Sequence, residues 1–460
     1  AMANSYALYG LLLLALFHVS HARYYHHEHQ RSRFQACNFR QINAAEPRNR
    51  VESEAGVTEM WDANEQQFEC AGVAPLRHVI QPRGLLLPSY SNGPKLVYVQ
   101  RGRGIHSAAF PGCPETYQPS DYESLRGQKM SMDQHQKVRR VQDGDVVAIP
   151  AGIADWFYND GNEELVLLMI FDTSNFDNQL DKDLRKFFLA GNPREFQSRL
   201  RRGGESEYSG NVLAGLDENI IAEIFNIETE LARRLTNPSR QRGVIVSVKN
   251  DHELQSLIPR IRPEEEYRRE GRYINGFEET LCSARLSHNI NDPLHADLYN
   301  PRAGRITNVN SLNLPILKLL RLSAQKGVLY RNGMMAPHWN INSHSVFFIE
   351  RGNGRIQIVS DEGKKVFDGN VREGQMLTAP QNYVIVKMAG SEGLEWVSFK
   401  TNDNAKINQL AGRVSTIRAI PDAVVANAYQ ISTEEARRIK YNRNEVTLLS
   451  PGRSSEFRID

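Results

Sequence analysis

The chain repeats itself, and the blocks recur in the same order. Tyr98-Val-Gln-Arg-Gly-Arg-Gly104 matches Phe348-Ile-Glu-Arg-Gly-Asn-Gly354 at an offset of 250. Gly144-Asp-Val-Val-Ala-Ile-Pro150 matches Gly374-Gln-Met-Leu-Thr-Ala-Pro380 at an offset of 230. Ala222 to Leu235 matches Ala426 to Ile439 at an offset of 204, with Ala222, Ile227, Thr229, Glu230, Ala232, Arg233 and Arg234 recurring identically. Preserved order means a tandem duplication of one unit, so whatever one copy folds into, the other folds into as well. The falling offsets place extra loop in the first copy: 20 residues between Gly102 and Gly144, and 26 more before the helical block.

Each copy opens with strand signals. Leu96 to Val99 and Val346 to Ile349 are short apolar runs, each followed by Arg-Gly-x-Gly. Glu164 to Phe171, Val244 to Val248 and Leu394 to Phe399 are similar, and turn residues separate them. Such a pattern predicts an all-β barrel or sandwich. Each copy closes helically. Leu180, Leu184, Phe187 and Phe188 keep helical spacing, as do Ile220, Ile224, Phe225, Leu231 and Leu235 before Asn237-Pro238. Ser432-Thr-Glu-Glu435 is a capping box. Arg233-Arg234 and Arg437-Arg438 sit where helix C-termini favour cations, on a solvated face or in ion pairs between subunits. Charged Arg262 to Arg272 separates the copies and reads as an exposed linker; Met130 to Arg140 reads as a smaller polar loop.

At roughly 100–200 residues per domain, 460 residues suggest two to four domains. A net charge of +2 gives no footprint for nucleic acid. The chain carries 42 Arg, 14 Lys, 35 Asn and 22 Gln, a nitrogen excess that fits either genome bias or nitrogen storage. Residues 1–22 read as a signal peptide, with apolar Leu11 to Phe17 and a small-x-small site at Ser20 and Ala22. Cleavage there would leave a secreted, soluble protein starting near Arg23, outside the membrane. In that compartment Cys37, Cys70, Cys113 and Cys282 favour disulfides, and three pairings are open.

Asn275-Gly-Phe-Glu-Glu-Thr-Leu-Cys282 follows the linker and resembles the processing site of the legumin-type 11S seed storage globulins. EPRNRVESEAGVTEMWD (46–62), CAGVAPLRHVIQPRGLLLPSYSN (70–92), PGCPETYQ (111–118), GDVVAIPAG (144–152), IETELARRL (227–235) and HWNINSHS (338–345) are similar to that family too. The resemblance spans essentially the whole mature chain. It implies an all-β protein of two tandem cupin (jelly-roll) barrels, each with a C-terminal helical extension. On that reading residues 23–36 are a tail, 37–252 the first cupin domain and 253–282 the linker and processing site. Residues 283–450 are the second domain and 451–460 a C-terminal tail. The resemblance further implies disulfides Cys37–Cys70 and Cys113–Cys282. It implies cleavage between Asn275 and Gly276 by an asparaginyl endopeptidase, a trimeric precursor, a hexamer after cleavage, and delivery to the seed protein storage vacuole. Relatives of this type often include food allergens. Charge counting agrees with the family's acidic and basic chains: residues 276–460 carry net +5 and the remainder net −3. The long acidic segment common before the cut in legumins is replaced by the short Arg262 to Arg272 run.

Cupins are often metalloenzymes, and the metal-binding members resemble P-H-x-H-x4-E followed by P-x-G-x2-H-x3-N. Here the ligand positions hold Pro88, Tyr90, Lys95 and Asp155 in copy one, and His338, Asn340, Ser345 and Ile385 in copy two. Only Asp155 and His338 could bind a metal, and they lie in different copies, which argues against a cofactor or an enzyme. His26-His-Glu-His29 reads as a flexible tail rather than a zinc motif, since Arg31 stands where HExxH needs its second His. Gly102-x-Gly104 follows a strand but lacks the third Gly of a dinucleotide fingerprint. Storage is therefore the leading expectation. A rival adds a small organic ligand, an auxin-like aromatic acid or a sugar, met by Tyr90, Lys95 and His338 in a metal-free barrel. A residual metal-dependent cupin oxidase is the minor alternative.

Overall fold

The computed structural model describes residues 37–115, 135–200, 210–237, 242–249, Leu254, Leu257 and 281–452. The leader 1–22, the tail 23–36, the Arg262 to Arg272 run and the Asn275-Gly276 bond lie outside the described residues.

Among the described residues the strands form sheets of seven, six and ten. The seven-stranded sheet runs Asn49–Ser53, Gly56–Met60, Val73–Ile80, Leu165–Asp172, Lys95–Arg101, Asp145–Ile149 and Ser287–Asn289. Its centre, Leu165–Asp172, is buried at every position, as an apolar run covered on both faces must be. The six-stranded sheet, built on Gly84–Ser91, Ala154–Tyr158 and Arg103–Ala109, completes the first barrel. The ten-stranded sheet forms the second barrel, held by Ser345–Val359 and Val384–Lys400, which pair antiparallel along most of their length. The repeated Arg-Gly-x-Gly block has a backbone reason. Gly102 and Gly352 have φ of +86° and +77°, and a Cβ would lie 2.4 Å from the Glu164 carbonyl oxygen and 2.3 Å from that of Gly393. Only glycine fits both the conformation and the contact.

The barrels exchange pieces across the 37–252 and 283–450 division. Ser287–Asn289 pairs with Asp145–Ile149 on the edge of the first barrel's sheet, and Leu286 and Ile290 are buried beside it. In return, Phe39 and Ile42 join the second barrel's core. Ile42 N–H donates to the Val366 carbonyl (2.7 Å), and Ala45 and Met376 exchange two backbone hydrogen bonds of 2.8 Å. Cys37 is bonded to Cys70, and Cys113 to Cys282 across 169 residues of chain. Where the barrels meet, Tyr98 of the first donates its hydroxyl to Glu350 of the second at 3.0 Å. Glu350 also takes a hydrogen bond from Lys326, whose ammonium lies 3.6 Å from Glu395.

The helical expectation holds at 220–235 and fails at 180–188. Glu218–Phe225 and Thr229–Thr236 are helices, parted by Asn226 in the left-handed region. Asp422–Tyr429 and Thr433–Tyr441 repeat them around left-handed Gln430. The repeated arginines brace each pair within one chain: Arg233 meets Glu218 at 3.2 Å, and Arg437 meets Asp422 at 2.9 Å. By contrast, Lys186–Phe188 is a strand on Gly84–Ser91, with Phe188 turned into the core. Of the polar loop expected over Met130 to Arg140, residues 130–134 lie outside the described residues, and Val138–Gln142 is a strand beside Arg103–Ala109. The capping box forms: the Ser432 side chain accepts from Glu435 N–H, and Glu435 Oε2 accepts from Ser432 N–H. Ser432→Ala should lower unfolding free energy by about 1 kcal/mol in a urea titration, with the slope unchanged.

Candidate functional site

The candidate site is the interior of each barrel, where a cupin metal would sit. In the first barrel Lys95 lies opposite Phe171 and Ile149, which fixes its inward direction. Its ammonium is 2.5 Å from Asp155 Oδ1, and both side chains are almost fully buried. The other Asp155 oxygen is 3.8 Å from His106 Nε2. Burial, helped by Arg139 and Lys95, drives the His106 pKa well down, so its ring is neutral. Lys186 points inward from Lys186–Phe188, its ammonium 5.4 to 5.8 Å from the ring centres of Phe188, Phe171 and Phe196. Burial first, then Lys95, bring its pKa down to about 7 against the pull of Asp155.

Tyr90 faces away from this interior. Buried Ser89 and Ser91 flank it in alternation, and it stacks on Phe187 at 4.9 Å on the opposite face of the sheet. Pro88 donates nothing, so the first barrel's four former ligand positions reduce to one ion pair and one outward ring.

In the second barrel His338 is buried opposite Ile385. Its Nδ1 lies 2.8 Å from the Ala336 carbonyl oxygen, and burial followed by Lys387 holds its pKa well below the usual range. Asn340 Oδ1 accepts from the Lys400 ammonium at 2.8 Å. Lys387 sits over Phe347 (4.6 Å) and Trp396 (5.0 Å). Burial lowers the pKa of Lys400 to about 7, and burial, helped by Lys400, holds that of Lys387 well below the usual lysine range.

Tyr90, Lys95 and His338 therefore do not converge. One lies on an outer face, and the other two line different barrels, so no single small molecule touches all three. Among the described residues neither interior carries a metal set, since Lys95 pairs with Asp155 and His338 stands beside two lysines. Cys37, Cys70 and His344 also group at metal-ligand spacing, but the sulfurs are bonded to each other and offer no thiolate. The lysines that dominate the interiors, Lys186, Lys387 and Lys400, were not singled out by sequence. The alternation Trp396, Ser398, Lys400 was the available signal, because it places Lys400 on the face of a core tryptophan.

A cupin family model matches residues 42–195 and 288–437. An 11S globulin seed storage protein of Anacardium occidentale is 49% identical over 437 residues, covering 92% of this chain and 94% of its own. The chain belongs to the 11S seed storage globulins of the cupin family. Among solved structures, the recombinant pro-11S globulin of pumpkin superposes on this globulin with a TM-score of 0.81 at 47% identity, over 91% of this chain and 100% of that one. An 11S globulin from Wrightia tinctoria, whose structure is described as revealing an auxin binding site, gives 0.79 at 42% identity over 90% and 96%. The barrels of this globulin are thus a shared scaffold, and its site residues differ from the metal pattern by replacement rather than by loss of fold.

Proposed function

We propose that this globulin is a seed nutrient reservoir, made through the secretory pathway for the protein storage vacuole. It is cut at Asn275-Gly276 by an asparaginyl endopeptidase and packed as a trimer, then as a hexamer. The observation that carries the reading is a likeness to storage globulins that runs through more than nine-tenths of both chains. The Cys113–Cys282 bond supports it further, because its two cysteines lie on either side of the cut.

Assembly has its own support. Ile224 is 67% exposed and Phe225 54% on the first helical extension, and Tyr429 is 59% and Ile439 53% on the second. One chain thus offers two apolar helical faces that its own barrels leave uncovered, and such faces mark contact sites. Two different faces on one subunit suit a head-to-tail contact, which closes into a ring. The charged Arg262 to Arg272 run beside Asn275 would obstruct a flat stacking face until it is cut. The buried lysines favour a second reading, in which the same reservoir also holds a small organic ligand, an auxin-like acid among the candidates.

One gel of the purified protein, without and with reductant, tests the main reading. A single band near the full mass should split on reduction into chains of 253 and 185 residues, for 23–275 and 276–460. Two bands without reductant would overturn the linkage across the cut, and a band that never splits would overturn the processing.

A further inference from the structure

We propose that the interior of the second barrel binds a small oxyanion, of the carboxylate or phosphate class, held by Lys400, Lys387, Asn340, Ser345 and Ser398. The proposal deepens the ligand reading above and does not depend on processing or assembly.

The register brings these groups together. Ser345 pairs with Lys400 and Phe347 with Ser398, so the serines and Lys400 share the inward face that Phe347 and Trp396 line. Lys387 lies two residues from Ile385 on that same face. All five are buried. Asn340 Nδ2, Ser345 Oγ and Ser398 Oγ have no hydrogen-bond partner among the described residues. A buried polar atom left unpaired costs about 1–3 kcal/mol. Three of them beside two lysine side chains form a lining of donors that lacks its acceptor.

Comparison of the two copies shows what is missing. In the first barrel Lys95 stands opposite Phe171; in the second, Ser345 stands at the matching position and Lys400 opposite it. The lysine has changed strands. Its counter-ion has not followed: Asp155 in the first copy corresponds to apolar Ile385 in the second. The first interior therefore carries its own anion, and the second keeps the cations without one. Among the described residues the charged or titratable groups acting on this cluster are Lys387, Lys400 and His338, with no carboxylate among them. An incoming oxyanion would supply the charge that Asp155 supplies next door and accept from Asn340, Ser345 and Ser398. It would also restore the protons that burial removes from the lysines, so binding takes up protons and strengthens as pH falls through about 7.

The test is calorimetry on the full, assembled protein with sodium acetate, inorganic phosphate and neutral acetamide, at pH 6.5 and 8.5. Saturable heat with acetate or phosphate is expected, tighter at pH 6.5, with none from acetamide; the tighter of the two ions identifies the source class. Lys400→Met and Ser398→Ala, which removes only the hydroxyl, should each weaken binding at least tenfold. Lys186→Met, in the other barrel, should leave it unchanged. Absence of heat with both ions, equal binding by Lys400→Met, or equal heat with acetamide would overturn the proposal. Crystals soaked in the tighter-binding ion give a second readout: its density in the second barrel supports the site, and density only elsewhere overturns it. Failure of the storage reading would show on the gel above and would leave these heats untouched.

Discussion

Lys400→Met should stabilise the globulin near neutral pH and destabilise it above about pH 10. Burial lowers the folded-state pKa of Lys400 from 10.5 to about 7. Between those values the unfolded chain binds more protons than the folded one, so stability rises with pH across that window. Below about pH 7 the wild type therefore carries the whole penalty, on the order of 4–5 kcal/mol by linkage. Methionine removes it. The substitution also leaves Asn340 Oδ1 without its donor, a loss of about 1–3 kcal/mol that does not depend on pH. The difference between variant and wild type should thus be a gain of about 2–3 kcal/mol at pH 6.5 that falls through zero and reverses at high pH. Urea titrations in zwitterionic buffers, free of small oxyanions, would measure it. A difference that stays constant from pH 6.5 to 10.5 would show that Lys400 is not buried as an ammonium.

Glu350→Ala should cost about 3–5 kcal/mol, because it breaks a buried ion cluster and leaves a charge behind. Glu350 accepts from both Lys326 and Tyr98, and the Lys326 side chain is 3% exposed. After the substitution Lys326 keeps the Tyr98 hydroxyl, at 3.4 Å, and Glu395, at 3.6 Å and partly exposed. Tyr98, buried on the other barrel, loses its carboxylate acceptor. Removing both charges together, as Lys326→Met with Glu350→Leu, should recover most of the loss, since an apolar pair of similar volume avoids the stranded charge. A single-substitution loss below about 1 kcal/mol would mean that the cluster is solvated.

How far the sequence revealed this depended on range along the chain. The Arg-Gly-x-Gly turns and the Ser432 capping box are local signals that form where the sequence places them, and the helix Thr229–Thr236 ends at Asn237. The apolar runs Leu96 to Val99 and Leu394 to Phe399 are strands, because a short β-branched run has few other ways to be buried. The 180–188 segment misled because Leu184 and Phe188 are four apart and both buried, which satisfies a helix pattern while the chain runs extended onto Gly84–Ser91. The pairing of Ser287–Asn289 with Asp145–Ile149 leaves no mark in the sequence. Three residues of moderate polarity reach a strand more than 130 positions away, and only the folded sheet edge selects them. Of the site residues, the ligand-position alignment correctly placed Lys95 with Asp155 and His338 with Asn340 in separate barrels. It could not see that Tyr90 turns outward, since one register step decides the face. It also passed over Lys387 and Lys400, which lie on strands at positions no metal motif samples.

The exchange of strand and arm between the barrels bears on how a reserve of this kind is taken apart. On the proposed cut at Asn275-Gly276, Phe39, Ile42 and Ala45 belong to the piece before it yet wall the second barrel, and Leu286 to Ile290 belong to the piece after it yet close the first. Neither piece owns a complete core. A protease that trims the beginning of one would open the hydrophobic interior of the other. A cut between the two copies leaves this interlock whole, whereas loss of either exchanged segment uncovers the core that it closes.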